Sequence, residues 1–155
     1  SYLFKREYRE SLAYFRKFSE ILNTIGEFQT SSMVPIGYAY KMNGFEEEAE
    51  RWYNEQKRLS EVSLKYGRWY SAWGFADLDL GIMYSLKGDK EKAYKHLRKF
   101  LKIKVCPLFL ITDMKYSPIY DNLRNDTEFK ILFRDMELKY LAEHEKLGGL
   151  MQPQE

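Results

Sequence analysis

The side chains that most often carry catalysis or bind metals are few in this chain and lie far apart. Its two histidines, His96 and His144, fall on different predicted helices, and the segment EHEKL lacks the second histidine that a zinc-binding helix requires. The single cysteine, Cys106, precedes Pro107 in an apolar stretch, which is typical of a small core residue. These residues predict neither a metal site nor a nucleophile.

Carboxylate chemistry is not indicated either. Asp77 and Asp79 are two residues apart, so on a helix they point to different faces and cannot share a proton as a catalytic pair. The sequence also contains no glycine-rich loop of the kind that binds phosphate. We therefore expect a non-catalytic protein without a metal or an organic cofactor.

The composition is that of an ordered, soluble domain with nearly balanced charge. Of 155 residues, 45% are hydrophobic and 31% are charged, and 25 Lys and Arg stand against 23 Asp and Glu. This balance argues against nucleic acid as a partner, and the lack of an apolar run of about 18 residues argues against a membrane. The lone cysteine favours a reducing, cytoplasmic location. Because the sequence starts at Ser1 just before an amphipathic run, we expect an excised piece of a longer protein.

Apolar residues recur at steps of three and four along most of the chain, a spacing that is typical of amphipathic helices. Glycine and proline divide this pattern into helices with short connections, so consecutive helices should lie antiparallel. Gly26 and Gly67 are expected to end helices, and Ser31 and Ser32 to cap one. The predicted helices cover residues 4–25, 31–42, 45–66, 68–87 and 89–104, followed by short elements after Pro107 and Pro118 and a last helix after Asp126.

One sequence pattern occurs twice. The segment NGFEEEAERWY at 43–53 is matched by KGDKEKAYKHL at 87–97, and the match extends backwards to a glycine and a tyrosine in each copy. Small residues at fixed offsets let two helices cross closely, as a repeat of paired helices requires. The corresponding residues are Gly37, Tyr40, Gly44, Ala49 and Tyr53 in the first copy and Gly81, Tyr84, Gly88, Ala93 and Leu97 in the second.

This pattern resembles the tetratricopeptide repeat, whose helix pairs stack into a right-handed superhelix. The resemblance implies an all-α domain over 1–147 that binds a protein or peptide partner. Its parts would be a partial repeat at 1–25, repeats at 31–66 and 68–104, a capping segment at 107–147 and a flexible tail at 148–155.

The two copies are about 44 residues apart, which exceeds the ~34 residues of the family. Because helical periodicity continues on both sides of Gly67, we expect the surplus to lengthen two helices by about five residues each. The resulting tip would contain Val62, Tyr66, Trp69, Tyr70 and Trp73.

The resemblance also implies a concave groove lined by the first helix of each pair. The alternative is that a third helical layer or a neighbouring subunit covers these side chains. If a second copy of the chain closes the groove, the protein is a self-association domain. The predicted groove residues are Val34, Tyr38, Lys41, Met42, Phe75, Leu78, Ile82 and Ser85.

Three aromatic residues, Trp69, Tyr70 and Trp73, share one side of the predicted helix over 68–87. We expect them to pack on the preceding helix, against Trp52, Leu59 and Tyr66. Any part of this cluster that stays exposed is the best candidate hot spot for a partner.

The predicted helix over 89–104 carries a basic stripe. We expect a solvated outer face, with cations favoured near the C-terminal end of the helix. The alternative is a surface that binds nucleic acid or another polyanion. The residues of the stripe are Lys92, Lys95, Arg98, Lys99 and Lys102.

The segment YSPIYDNLRNDTEFKILFRDM at 116–136 resembles the one that closes tetratricopeptide arrays in many bacterial signalling and transcription-regulatory proteins. We expect a cap in which Asp126 accepts hydrogen bonds from the first N–H groups of the last helix. Leu123 and Phe129 would plug the open face of the last repeat. The alternative is that Asp121 and Arg124 bind a ligand. The residues that carry the resemblance are Pro118, Tyr120, Asp121, Leu123, Arg124, Asp126 and Phe129.

Overall fold

The computed structural model describes residues 2–25, 33–103 and 106–150, without the side chains of residues 22, 23, 25 and 147–150. Over these residues the chain forms eight α-helices and no strand, which confirms the all-α prediction. The expected helix end at Gly26 and the expected caps Ser31 and Ser32 lie outside the described residues. The helices are Tyr8–Ile25 (α1), Met33–Met42 (α2), Glu46–Tyr66 (α3), Trp69–Ala72 (α4), Phe75–Leu86 (α5), Lys90–Phe100 (α6), Leu108–Tyr116 (α7) and Thr127–Leu150 (α8), with a 3₁₀ turn at Pro118–Tyr120.

Two helical hairpins, α2–α3 and α5–α6, coincide with the repeated sequence pattern. In both, the chain reverses at a glycine in the left-handed region, Gly44 at φ 81° and Gly88 at φ 83°. The N–H of Gly44 donates to the carbonyl oxygen of Lys41 at 3.0 Å, and the N–H of Gly88 donates to that of Ser85 at 3.0 Å. The sequence repeat is therefore a structural repeat as well.

A second glycine in each copy sets the helix crossing. A Cβ atom at Gly37 would lie 2.6 Å from Cε1 of Tyr53, and one at Gly81 would lie 2.8 Å from Cδ2 and Cγ of Leu97. These separations are too short for carbon atoms, so the close approach depends on glycine. The repeated alanine of each copy is also buried in its hairpin.

The predicted helix over 68–87 is in fact two helices, α4 and α5, separated by Trp73 and Gly74. Gly74 has φ 79°, and a Cβ atom there would lie 2.4 Å from Cγ2 of Ile103, so both backbone and packing require glycine. Helical periodicity on both sides of the break hid it from the sequence analysis. The two helices were expected to be lengthened equally. The break prevents this, and α3 has 21 residues whereas α5 has 12.

Several helix ends differ from the prediction. α1 begins at Tyr8 because residues 2–6 form turns. α3 ends before Gly67, whose left-handed backbone (φ 59°) confirms its predicted role. α6 ends earlier than expected, at Phe100, whereas α8 continues to Leu150 into the predicted tail, of which residues 151–155 lie outside the described part.

The C-terminal segment completes the core, as expected of a cap. Leu123 and Phe129 are buried and belong to the same core cluster as Leu78 of α5 and Leu97 of α6. Apolar burial of this kind contributes most of the stability of a small helical domain.

Asp126 connects this segment to α6. Its carboxylate accepts hydrogen bonds from Nζ of Lys90 at 2.7 Å and from the hydroxyl of Tyr94 at 2.7 Å, whereas the sequence predicted a cap of the last helix. The bond from Lys90, followed by that from Tyr94, lowers the pKa of Asp126. The aspartate therefore joins two helices by its side chain.

Candidate interaction surface at the α3–α4 corner

The predicted groove is closed by the chain itself. Five of its eight residues are buried, and four of these five belong to the main core cluster. That cluster also contains Leu3 from the N-terminal turn and Tyr120 and Leu123 from the C-terminal segment. An open groove is therefore wrong for these positions, because both ends of the chain supply the cover. The buried residues are Val34, Tyr38, Leu78, Ile82 and Ser85.

Contacts from two sides hold this cover in place. The ring of Tyr8 on α1 meets the ring of Tyr38 edge-on, with centroids 6.0 Å apart. From the other side, Nδ2 of Asn122 donates to the carbonyl oxygen of Ser85 at 2.7 Å. Burial, followed by the hydrogen bond with Tyr8, raises the pKa of Tyr38, so this hydroxyl stays neutral.

The remaining groove residues form no continuous surface. Met42 is exposed at the end of α2, whereas Phe75 is half-buried at the beginning of α5 and stacks on Tyr70 with centroids 6.1 Å apart. Nζ of Lys41 donates to the carbonyl oxygen of Leu86 at 3.1 Å, so this cation joins the two hairpins.

Asp121 and Arg124 are engaged within the chain. The carboxylate of Asp121 accepts hydrogen bonds from the guanidinium groups of Arg6 and Arg124, and Arg124 also donates to the carbonyl oxygen of Ser117. Arg6 and Asp121 are 115 positions apart, so no local pattern could reveal the pair. Their role in the structure is to fasten the N-terminal turn to the C-terminal segment.

The α3–α4 corner, which we define as residues 64–73, is a well-fixed unit. The hydroxyl of Ser71 donates to the carbonyl oxygen of Ser63 at 2.9 Å, and the N–H of Ser71 donates to the hydroxyl of Ser63 at 3.2 Å. The N–H of Arg68 donates to the same carbonyl oxygen at 3.0 Å. These bonds hold α4 against the end of α3.

Tyr70 anchors the corner from within. Its side chain is buried, and its hydroxyl accepts a hydrogen bond from Nε2 of Gln56 at 3.3 Å. The ring of Trp69 meets the ring of Tyr70 edge-on, with centroids 5.9 Å apart. Tyr70 is thus unavailable to a partner, contrary to its place in the predicted hot spot, and instead supports the exposed residue beside it.

Trp69 and Trp73 remain on the surface. They are 70% and 60% exposed, and the neighbouring Tyr66 is 64% exposed. The expected packing of both indoles on the preceding helix is therefore wrong. That expectation assumed a continuous helix, whereas α4 has a single turn and buries only Tyr70.

The corner also carries positive charge. Nζ of Lys65 lies 5.2 Å from the centre of the Tyr66 ring, and Cζ of Arg68 lies 5.9 Å from the same point. Neither cation forms an ion pair with any residue that the structure describes. The corner thus combines three exposed aromatic side chains with two unpaired cations.

The basic stripe of α6 is partly neutralised by acidic side chains. Nζ of Lys92 donates to Oδ2 of Asp89 at 2.6 Å, and Arg98 pairs with Glu128 of α8. The bond with Asp89 raises the pKa of Lys92. Within the described residues, the cations of the stripe without an ion pair are Lys95, Lys99 and Lys102.

The contacts of His96 and the burial of Cys106 indicate that both residues support the structure. Nδ1 of His96 lies 2.7 Å from Oδ1 of Asp77, and its ring stacks on Tyr84 with centroids 5.7 Å apart. Cys106 is buried, as predicted, and burial raises the pKa of its thiol. The described part of the chain holds no group of three or more His, Cys, Asp or Glu side chains that could bind a metal ion.

One buried and one partly buried carboxylate, on different helices, were not predicted from the sequence. Asp79 on α5 is buried near Asp113 on α7, and its Oδ2 atom accepts no hydrogen bond from a described residue. Burial, reinforced by the charge of Asp113, raises the pKa of Asp79, and burial likewise raises the pKa of Asp113. The only available signal was an aspartate within an apolar helix, since the partner lies on another element.

Comparison with protein-family models, with curated proteins and with solved structures finds no match for this chain. Among the helices that the structure describes, none combines the length and the apolar character needed to cross a membrane. The function must therefore be inferred from the surfaces of this chain alone.

Proposed function

We propose that the chain is a non-catalytic protein-interaction module whose contact surface is the α3–α4 corner. The observation that carries this proposal is the exposure of two tryptophans, Trp69 and Trp73, on a fixed backbone. Clustered exposed aromatic side chains are typical of protein contact sites, and tryptophan, tyrosine and arginine are the residues enriched in binding hot spots.

The fixed geometry of the corner favours this role. The hydrogen bonds between Ser63 and Ser71 and the buried side chain of Tyr70 order the corner within the free protein. A partner would therefore meet indoles whose backbone is already ordered, which reduces the entropic cost of association.

The chemistry of the corner indicates the kind of partner. Trp69 and Trp73 offer large apolar areas, so the partner should supply apolar side chains that fill the space around them. Lys65 and Arg68 form no ion pair within the described residues, so carboxylates on the partner would complement them. A protein segment that carries both apolar and acidic residues meets these requirements.

The doubled hairpin supports a finer assignment of fold and setting. Within each copy, the crossing glycine and the turn glycine have the offset found in tetratricopeptide repeats, although the copies are 44 residues apart rather than ~34, and we propose a right-handed superhelix of such hairpins. Because residues 116–136 resemble the segment that closes such arrays, we propose that the module belongs to a bacterial signalling or transcription-regulatory protein; the lone cysteine favours a cytoplasmic location.

A peptide selection tests the proposal. A random peptide display library is selected on the immobilised domain, and the affinity of enriched peptides is then measured in solution for the unchanged chain and for Trp69→Ala and Trp73→Ala. We expect each substitution to weaken binding at least tenfold, about 1.4 kcal/mol or more.

Phe109→Ala is the matched control, because Phe109 is 60% exposed on α7, far along the chain from the corner. It should leave the affinity unchanged. Equal losses for the control and the corner variants would refute a specific contact. If no peptide is enriched while the sedimenting mass rises with concentration and falls in Trp69→Ala, the corner mediates self-association instead.

A further inference from the structure

We propose a second binding site, for a small anion, in the cleft between α1 and the α2–α3 turn. This cleft has a volume of about 370 Å³ and shares no lining residue with the α3–α4 corner. Its ligand would be a carboxylate or a phosphate attached to a compact apolar body. The lining residues are Arg9, Leu12, Ala13, Arg16, Asn43 and Phe45.

Arg16 is held in the cleft by two aromatic rings. Its Cζ atom lies 5.4 Å from the centre of the Tyr40 ring and 5.2 Å from that of the Phe45 ring. The two rings meet edge-on, with centroids 6.2 Å apart, so they support each other. A guanidinium that lies over aromatic rings keeps N–H groups free at its edge, and that edge fits a carboxylate or a phosphate with two parallel hydrogen bonds.

Arg9 adds a second cation to the same side of α1. It precedes Arg16 by two helical turns, about 10 Å along the axis, and both side chains line the cleft. Neither arginine forms an ion pair with a residue in the described ranges. Two cations beside one cleft without a carboxylate between them favour an anion there.

The other lining residues of the cleft favour a ligand with an apolar body. Leu12 is buried at the floor, and the partly exposed ring of Phe45 forms a wall, so both offer apolar contact. The two N–H groups of the Asn43 amide already donate to backbone carbonyl oxygens, at 2.9 and 2.8 Å. Asn43 therefore fixes the turn, and the arginines are the free donors of the cleft.

The test is an NMR titration of the whole ¹⁵N-labelled chain with benzoate and phenyl phosphate, with neutral benzyl alcohol as the control. Both anions should shift the Nε–H signal of Arg16 and the amide signal of Phe45 saturably, and benzyl alcohol should not. N-acetylphenylalanine and its neutral amide show whether a peptide carboxylate suffices. Binding of carboxylates alone, phosphates alone or both supports the site and assigns its ligand; the absence of saturable shifts overturns it.

Substitutions locate the site. Arg9→Gln and Arg16→Lys should each weaken binding at least tenfold, since the first removes a cation and the second removes the planar donor edge. The described residues include no cation–π contact of Arg9, so Arg9→Gln should keep the Arg16 stacking intact. Arg51→Gln on α3 is the matched control, because Arg51 is exposed and forms no ion pair within the described residues. An equal loss of anion affinity in Arg51→Gln would show that only the net charge of the chain matters, and it would overturn the proposal.

Trp69→Ala separates the two proposals. It should leave anion binding in the cleft unchanged, because the cleft and the corner have no residue in common. A loss of anion binding in Trp69→Ala would contradict an independent site between α1 and the turn.

Discussion

The α2–α3 and α5–α6 hairpins share the glycines of the crossing and of the turn, yet they differ at equivalent positions that face other elements. Gln56 in the first hairpin corresponds to Phe100 in the second, and both side chains are buried. Gln56 donates to the hydroxyls of Ser60 and Tyr70, whereas Phe100 lies in the main core. A few small residues thus define the hairpin, and the residues around them decide what it contacts.

The first helices of the two hairpins, α2 and α5, also differ at equivalent positions. Asp77 and Asp79 of α5 correspond to Met33 and Pro35 of α2. The second hairpin contacts the 3₁₀ turn through α5 and α8 through α6, and both of these aspartates are buried. In the first hairpin the end of the longer helix, α3, contacts the short helix α4, and there the chain forms the exposed corner.

The largest expected change in the free energy of unfolding distinguishes the equivalent positions Phe100 and Gln56. Phe100→Ala should lower the free energy of unfolding by about 3–5 kcal/mol, because it leaves a cavity in the core. Gln56→Leu should cost only about 1–2 kcal/mol, since it unpairs the Ser60 and Tyr70 hydroxyls but also removes an amide oxygen that has no partner. Urea unfolding measures both, and equal losses would contradict the proposed difference.

The crossing glycines should behave alike in both hairpins. Gly37→Ala and Gly81→Ala should each cost about 1–3 kcal/mol, because the added methyl group overlaps Tyr53 or Leu97. At an ordinary helical position, the same change stabilises by up to about 1 kcal/mol. A gain in stability at either site would show that the close crossing is absent there.

The turn glycines give a smaller and purely conformational effect. Gly44→Ala and Gly88→Ala should each cost about 1–2 kcal/mol, because the left-handed backbone disfavours a Cβ atom. A Cβ atom at either glycine would meet no other heavy atom within 4 Å, so packing adds nothing and the two losses should agree. Clearly unequal losses in urea unfolding would mean that the two turns are not equivalent.

Much of the fold was readable from the sequence because its signals are local. The glycine and alanine offsets that define the hairpins, and the stop at Gly67, lie within one or two helical turns. The break at Gly74 was missed because helical periodicity continues on both sides of it, and the packing of Gly74 against Ile103 joins residues 29 positions apart (103 − 74). The sequence left the open groove and a covered one as alternatives, because the residues that cover it come from distant parts of the chain.

The candidate site was only half predictable. The spacing of Trp69, Tyr70 and Trp73 identified an aromatic cluster, but which rings face solvent depends on where α4 ends. The anion cleft gave no sequence signal, because Arg9 and Arg16 meet the α2–α3 turn only through tertiary packing.

Asp79, the buried carboxylate of the second hairpin, should make the stability of the chain depend on pH. Its counterpart in the first hairpin, Pro35, cannot titrate. Because the folded-state pKa of Asp79 is raised, its stabilising contribution is present below its unfolded pKa of about 3.9 and is lost as pH rises through the folded value. The chain should therefore gain stability when the pH is lowered from above the folded pKa of Asp79 to just above its unfolded pKa. Asp79→Asn should reduce this gain.

Asp113, Tyr120 and Arg124 face the same region, and the raised pKa of Asp113 adds dependence of the same sign. Asp79→Asn should therefore reduce the slope without removing it. Urea unfolding at both pH values measures the difference between the two chains, and identical slopes would contradict the buried carboxylate.

The smallest effect on stability is expected at the corner. Trp69→Ala should change the free energy of unfolding by no more than about 0.5 kcal/mol, because the indole is 70% exposed. Tyr70→Ala, by contrast, should destabilise the chain clearly, since Tyr70 is buried against Gln56 and Phe75. A large loss in Trp69→Ala would assign the indole to folding rather than to binding.

The most direct test of the interaction surface compares the affinity of one selected peptide for the unchanged chain, Trp69→Ala and Phe109→Ala. These two substitutions remove exposed aromatic side chains of similar accessibility from different helices. If the corner is the contact surface, Trp69→Ala should lose at least tenfold in affinity and Phe109→Ala should show no change. Full affinity in Trp69→Ala would contradict this prediction and move the contact surface away from the α3–α4 corner.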